Sequence, residues 1–325
     1  MNILITSASR KVALVQTFKK ALAEFGGGRV IAADITPLAP ALFHADAGLL
    51  IKRSDDPEFI DHLIELCRRE YVELLVPTRD EELPILAAAK ERFASTGVTV
   101  MIGSHETVRI CQDKIEFVKF CVRNRIQTAK IYPSADEILP DAFPVFVRSR
   151  FSKGSKAAFC ANDARELRKI CENVSEPLIQ EFVRVREYTI DLFSDFNGRV
   201  ISVVPRERIS VISGESYVSR TTKSKLLIDA ATDLAAKLHL VGHNTIQCFF
   251  DGATVKFIEV NPRFGGAAAL GFAAGACTPA YLIRAVRGEA LQPVIGEFED
   301  TLTMLRYTQD IFVSPQQLSE IKCFD

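Results

Sequence analysis

Gln247, Glu259, Asn261 and Arg263 bring oxygen donors and a guanidinium into one short stretch, TIQCFFDGATVKFIEVNPRFGG, from Thr245 to Gly266. Asp251 and Gly252 separate Gln247-Cys248-Phe249-Phe250 from Val255, Phe257, Ile258 and Val260, which predicts a β-hairpin with an Asp-Gly turn. Glu259 and Asn261 are two apart on the second strand, so they share a face with each other and with Gln247, while Ile258 and Val260 point the other way. Mg²⁺ prefers oxygen ligands and is commonly held by one or two carboxylates plus the phosphates of its substrate. A guanidinium such as that of Arg263 matches phosphate oxygens with its fork of donors. The pattern fits a Mg-nucleotide site. Its alternative is a strand-end ion pair of Glu259 and Arg263 beside an Asn261-Pro262 turn.

The run Glu259-Val260-Asn261-Pro262-Arg263-Phe264-Gly265-Gly266, after a strand carrying Gln247, resembles the metal-binding hairpin of the ATP-grasp superfamily, most of all its carbamoyl-phosphate synthetase large-subunit branch. The resemblance implies that Gln247, Glu259 and Asn261 hold Mg²⁺ on ATP, two ions in all with Mn²⁺ as a substitute, and that Arg263 meets the transferred phosphate.

The preceding chain must position this hairpin. Asn2–Thr6, a helical pattern through Leu22 and Arg29–Ala33 read as β-α-β, followed by a helix from Pro57 to Glu70 and a strand from Glu73 to Val76. Thr78 and Asp80 then lie where ligands bind in open parallel sheets, or else cap a helix from Glu81 to Phe93. Val98–Ile102 completes an α/β doubly wound sheet over residues 1–105. That region resembles the pre-ATP-grasp domain, through I-L-I-T-S-A-S-R and L-V-P-T-R-D-E-E-L. Ser7-Ala8-Ser9 carries no G-x-G-x-x-G, which disfavours a plain NAD-binding reading, and Asp34 reads equally as a loop cap.

Residues 106–300 are expected to form a two-lobed α+β ATP-grasp domain, with a smaller lobe over about 120–185 and a larger one over about 186–300. Residues 301–325 follow as a C-terminal strand and tail. Phe143–Val147, a basic loop and Ala157–Cys160 make a strand-loop-strand suited to covering a triphosphate, or an exposed basic hairpin. By resemblance Lys114, Arg148 and Ser155 contact ATP phosphates. Ser149 replaces the family's usual Pro, and Gly154 is the only Gly kept in the loop. The resemblance also implies an adenine hinge at Gln180, Glu181, Phe182 and Val183, with Glu187 at the ribose; by spacing alone Glu181 and Glu187 are surface acids opposite Arg184 and Arg186. Arg206 and Arg208 alternate onto one strand face and repel unless an anion, or an acid such as Glu215, lies between them. The resemblance assigns them to the carboxylate being activated; a rim ion pair is the alternative. Lys223–Leu238 is an amphipathic helix behind the hairpin, and Gly265-Gly266 should open an Ala-rich helix to Ala274, its N-terminus facing phosphate.

The chain of 325 residues is 48% hydrophobic and 25% charged, with a net charge of -1, and so shows no basic footprint for nucleic acid or an anionic membrane. Its eight Cys form no C-x-x-C pair and its five His are dispersed, which points to reduced thiols in the cytoplasm, without a zinc framework. The ATP-grasp resemblance implies an ADP-forming ligase that activates a small-molecule carboxylate as an acyl phosphate for attack by an amine or thiol, in a chain able to form a homodimer. The alternatives are a carbamoyl-phosphate-synthetase-type subunit needing a partner and a non-catalytic nucleotide-binding regulator. Ile321–Asp325 resembles the first catalytic strand of haloacid-dehalogenase-type phosphatases, which would imply a fused or partner phosphatase-like domain after residue 325; a frayed tail is the alternative.

Overall fold

The computed structural model describes residues 1–151 and 158–323. Ser155, in the expected phosphate-covering loop, and Asp325 lie outside the described residues. The first strands, β1 (Asn2–Thr6), β2 (Arg29–Asp34), β3 (Ala47–Leu50), β4 (Val72–Pro77) and β5 (Thr99–Val100), alternate with α1 (Val12–Glu24), α2 (Phe59–Arg69), α3 (Leu83–Ala88) and α4 (Lys90–Ala94). All pairings in this sheet are parallel, in the order β3-β2-β1-β4-β5. The order reverses between β1 and β4, so the turns after these two strands flank the crevice where such sheets bind ligands. The expected helix from Glu81 to Phe93 is broken at Ala89, which leaves helical geometry at φ -95° and ψ 5°. The fifth strand is shorter than the expected Val98–Ile102.

Next come α5 (His105–Gln112) and α6 (Lys114–Arg123), then β6 (Ile131–Tyr132), β7 (Val145–Ser149), β8 (Ala158–Ala161), α7 (Ala164–Asn173) and β9 (Pro177–Glu181). The last four strands make a small antiparallel sheet, β6-β9-β7-β8, with its own core of Val145, Val147, Ala161, Leu167 and Ile179.

The larger lobe contains β10 (Arg186–Ser194), β11 (Val200–Ile212), β12 (Glu215–Thr221), α8 (Lys225–Leu238), β13 (Gly242–Phe250), β14 (Val255–Asn261), α9 (Ala269–Ala273), α10 (Thr278–Val286) and β15 (Thr303–Leu305). Its antiparallel sheet runs β14-β13-β10-β11-β12-β15. One face carries Tyr188, Ile190, Leu192, Val203, Ile246 and Cys248 into a core closed by Leu227, Ala231 and Leu234 of α8. The opposite face carries the polar residues. The Ala-rich helix is shorter than expected, because residues 265–268 form a turn before α9, in keeping with Gly being a poor helix former.

The N-terminal domain and the larger lobe share one core. Phe18 of α1 meets Phe264 edge-on at 5.8 Å, and Phe193, Ile201, Ala268, Leu282 and Leu291 join Ile3, Ile5, Val15 and Leu22 in the same cluster. After α11 (Pro315–Glu320), β16 (Lys322–Cys323) returns to pair in parallel with β3, so the end of the chain adds a strand to the first sheet. No helix among the described residues is long and apolar enough to cross a membrane.

Candidate active site

Pairing in the larger sheet sets the site. Gln247 is opposite Glu259 and Thr245 opposite Asn261 on the hairpin, Thr189 is opposite both Gln247 and Arg206, and Arg208 is opposite Ser219. Residues directly opposite in an antiparallel pair face the same way. Hence Glu187, Thr189, Asp191, Arg206, Arg208, Gln247, Glu259 and Asn261 share the polar face. Most of them line a cavity of about 980 Å³, bordered also by Lys114, Phe146, Arg148 and Phe249 and, from the N-terminal domain, by Arg10, Lys11, Thr78 and Asp80.

The metal-ligand candidates are in mutual contact. Asn261 Nδ2 donates to Glu259 Oε1 at 3.1 Å. With its amide oriented to satisfy its neighbours, Gln247 donates to the same oxygen at 2.8 Å and accepts from Arg208 Nη1 at 2.5 Å. Arg148 reaches across from the small lobe, with Nη1 3.5 Å from Glu259 Oε2 and Nη2 donating to the Ile258 carbonyl at 3.2 Å. One carboxylate and two amide oxygens are a hard donor set, and among the described residues there is no competing cluster of three or more His, Cys, Asp or Glu. The set fits Mg²⁺, provided both amides turn their oxygens from the present arrangement.

Burial pushes the Arg148 guanidinium below its ordinary pKa, against the pull of Glu259 and Glu187, and leaves Arg148 Nε without a hydrogen-bond partner among the described residues. A buried, under-satisfied cation facing a cavity favours an anionic occupant. Glu187 has its pKa raised, first by burial and then by the Glu259 charge, although Arg208 Nε stands 3.4 Å away.

The repulsion between Arg206 and Arg208 is relieved by acids other than Glu215. Arg206 Nε donates to Asp191 Oδ2 at 2.8 Å, and both side chains are 3% exposed. Burial alone would raise the Asp191 pKa, but Arg206 and His243 hold it well below the usual range. Glu215 instead accepts from Arg306 at 2.8 Å and lies 3.6 Å from Arg10.

Arg263 makes the largest departure from the expected arrangement. Its Nε and Nη2 donate to the two carboxylate oxygens of Asp80 at 2.9 and 2.8 Å, across 183 positions of sequence. Gly265 lets this turn pack closely on the hairpin, since a Cβ there would be 2.7 Å from Thr245 Oγ1.

Lys114 is buried at the start of α6, where Asp113 caps the helix, and its Nζ donates to the Arg150 carbonyl at 3.2 Å. Gln180, Glu181, Phe182 and Val183 of the expected hinge are not among the residues bordering the described part of the cavity, although Gln180 is paired opposite Phe146, which does border it, and the Phe182 ring lies 6.5 Å from that of Phe146. The Glu181 carboxylate accepts from Lys256 Nζ at 2.7 Å and from the Lys130 backbone at 3.1 Å, so its partners are these lysines in place of Arg184 and Arg186. Asp191, Thr189, Lys11, Arg10 and Arg306 were missed. For Thr189 and Asp191 the alternation from Glu187 along one strand was an available signal; for the others, set by distant contacts, there was none.

A doubly wound domain and two further lobes thus surround one cavity lined by several cations. The comparisons with known proteins agree. Residues 3–101 match the family described as PylC-like, N-terminal domain, and residues 173–309 match the family described as ATP-grasp in the biosynthetic pathway with Ter operon. The chain is thus similar to a PylC-like N-terminal domain over its first hundred residues and to an ATP-grasp family over residues 173–309. It is 24% identical over 259 residues to the carbamoyl phosphate synthase large chain of Thermoplasma volcanium, an alignment covering 71% of this chain and 25% of that one. The chain thus spans about a quarter of the length of that relative. Biotin carboxylase from Campylobacter jejuni, solved as a β,γ-ATP complex, superposes with a TM-score of 0.74 at 16% identity, over 93% of this chain and 74% of that one. The biotin carboxylase domain dimer of Hydrogenobacter thermophilus 2-oxoglutarate carboxylase, solved with MgADP, ADP and bicarbonate, superposes with a TM-score of 0.73 at 15% identity, over 93% and 73%.

Proposed function

We propose that this chain is an ADP-forming ligase that activates a small-molecule carboxylate by phosphorylation from ATP, for displacement by an amine or another nucleophile. The observation that carries this reading is the convergence on one cavity of oxygen donors Gln247, Glu259 and Asn261 and the guanidiniums of Arg206 and Arg208, from one sheet face, with Arg148 of the small lobe and Arg263 of the turn after β14. Gln247, Glu259 and Asn261 would hold Mg²⁺, which would supply neutralisation of phosphate charge on the nucleotide. Arg148 and Arg263 meet the charge that develops on the transferred group, and such preorganised donors account for much of catalysis in phosphoryl transfer. Arg208, with Arg206 beside it, orients the attacking carboxylate. Lys114 and the small lobe hold the nucleotide from the opposite side, with the hinge at Gln180–Val183 and Glu187 nearer the ribose.

The test is release of ADP, AMP and phosphate from Mg-ATP across a panel of carboxylates, amino acids and bicarbonate, with and without ammonia, comparing wild type with Glu259→Ala and Arg263→Ala. Carboxylate-dependent ADP and phosphate are expected, with a loss of ~10²–10³ in rate for Arg263→Ala while nucleotide binding is retained. AMP and pyrophosphate would mean adenylation and overturn the mechanism. Mg-nucleotide binding without turnover on any of the panel would favour a regulator.

A further inference from the structure

Arg263 has five N–H donors in a rigid fork, as any arginine does. Nε and Nη2 are taken by Asp80 at 2.9 and 2.8 Å, Nη2 also approaches Asn261 Oδ1 at 3.5 Å, and Nη1 donates to the Phe264 carbonyl at 3.2 Å. The remaining Nη1 hydrogen has no partner among the described residues, on a side chain that lines the cavity. The guanidinium is thus gripped along one edge while its Nη1 end keeps a donor for an anion.

Asp80 is itself held from two sides. Its backbone carbonyl accepts from Gln112 Nε2 and from the Leu83 amide. The loop around it is tied to the turn after β1: Thr78 Oγ1 donates to the Thr6 and Ser7 carbonyls at 2.8 Å each, and the Glu82 carboxylate accepts from the Thr6 and Ser7 hydroxyls. Phe264, the residue after Arg263, is buried against Phe18 of the same domain. The N-terminal domain therefore holds Arg263 by a charge pair on the side chain and by apolar packing on the next residue.

We infer that Asp80 is a positioning residue for phosphoryl transfer: it fixes the plane of the Arg263 guanidinium so that the free Nη1 donor meets the transferred group. The inference rests on the proposed reading of Arg263 and makes the PylC-like domain part of the catalytic machinery. A bidentate fork fixes direction as well as distance, which one hydrogen bond does not. Misplacement of a reacting or stabilising group by about 1 Å can cost on the order of 10²-fold in rate.

The experiment measures Mg-ADP affinity with and without aluminium fluoride, a mimic of the phosphoryl group in transfer, for wild type, Asp80→Asn, Asp80→Glu and Arg263→Ala. In wild type the fluoride should tighten ADP. In Asp80→Asn that tightening should fall by ~10-fold or more while plain Mg-ADP affinity is kept, and Asp80→Glu, which retains the carboxylate, should recover part of it. A purely structural role would weaken both affinities together or lower the melting temperature of Asp80→Asn without changing their ratio, and would overturn the inference. Undiminished or increased tightening in Asp80→Asn would also overturn it, the latter marking Asp80 as a competitor for Arg263. No tightening in wild type would overturn the reading of the site as well, which separates the two failures.

Discussion

The cavity has two walls that are built differently. The N-terminal domain is fused to the larger lobe through one apolar cluster, in which Phe18, Ile3 and Leu22 pack with Phe193, Phe264 and Leu282. The small four-stranded sheet has its own core around Val145, Val147 and Leu167, outside the cluster of the larger lobe, and the pairs Arg148–Glu259 and Lys256–Glu181 link the two sheets. Packed apolar cores resist relative motion, whereas small polar interfaces allow it. The wall that carries Asp80 is therefore the more rigid one, and the small sheet, outside the shared cluster, is the one better able to move.

Two core truncations test this contrast with the largest expected effects. Phe264→Ala removes a fully buried ring from the shared cluster and should cost ~3–5 kcal/mol, while Leu167→Ala in the small lobe should cost ~2–5 kcal/mol. The discriminating measurement is where hydrogen exchange accelerates. Phe264→Ala should speed exchange in both the first sheet and the β13–β14 hairpin, whereas Leu167→Ala should speed it in β7, β8 and β9 alone. Acceleration throughout the molecule in Leu167→Ala would show that the small lobe is no separate unit.

The two walls also differ in how far the sequence discloses them. On the hairpin, period-two alternation puts Glu259 and Asn261 on one face, but Gln247 joins them only because the β13–β14 pairing shifts register between Gln247 and Cys248, a bulge that local spacing does not disclose. The same alternation on β11 aligned Arg206 with Arg208. The acids that neutralise them were out of reach of local spacing in part, since Asp191 and Glu187 meet the arginines only through pairing of β10 with β11. Asp80 with Arg263, and Glu215 with Arg306 and Arg10, depend on tertiary packing over 183, 91 and more than 200 positions, and no periodicity encodes that. The broken helix at Ala89 and the shortened α9 are local misreadings, where an apolar pattern continued past a break in backbone geometry.

An intermediate effect is expected at Lys11, on the more rigid wall. Burial, reinforced by the Arg263 charge and opposed by Glu82, Asp34 and Asp80, pushes this ammonium from 10.5 down to about 8. Keeping it protonated in the folded protein therefore costs stability below about pH 8. As pH rises from about 8 towards 10.5 the folded form loses its proton first, the unfolded chain holds more protons, and wild-type stability gains from this group. Lys11→Met should accordingly be more stable than wild type near neutral pH, with the gap closing through that window. Denaturant unfolding at three pH values checks it, and a gap that does not change with pH would mean that the wall hydrates Lys11 well.

The smallest effect belongs to the polar seam of the other wall. Lys256 Nζ lies 2.7 Å from Glu181 Oε1, with side-chain exposures of 33% and 31%. Burial would raise the Glu181 pKa, but the Lys256 contact and the Lys130 backbone bring it below the ordinary carboxylate value. Solvent screens a pair this accessible, so Lys256→Ala should cost only ~0.2–1 kcal/mol of stability, and less as salt is raised. Its larger consequence would be on lobe movement, because the pair joins β14 of the larger lobe to β9 of the small one. Breaking it should raise the rates of nucleotide association and dissociation together, with little change in Kd, as measured by stopped-flow binding of a fluorescent ATP analogue. A loss of several kcal/mol in stability, with binding rates unmoved, would place this seam with the more rigid wall and remove the distinction between the two.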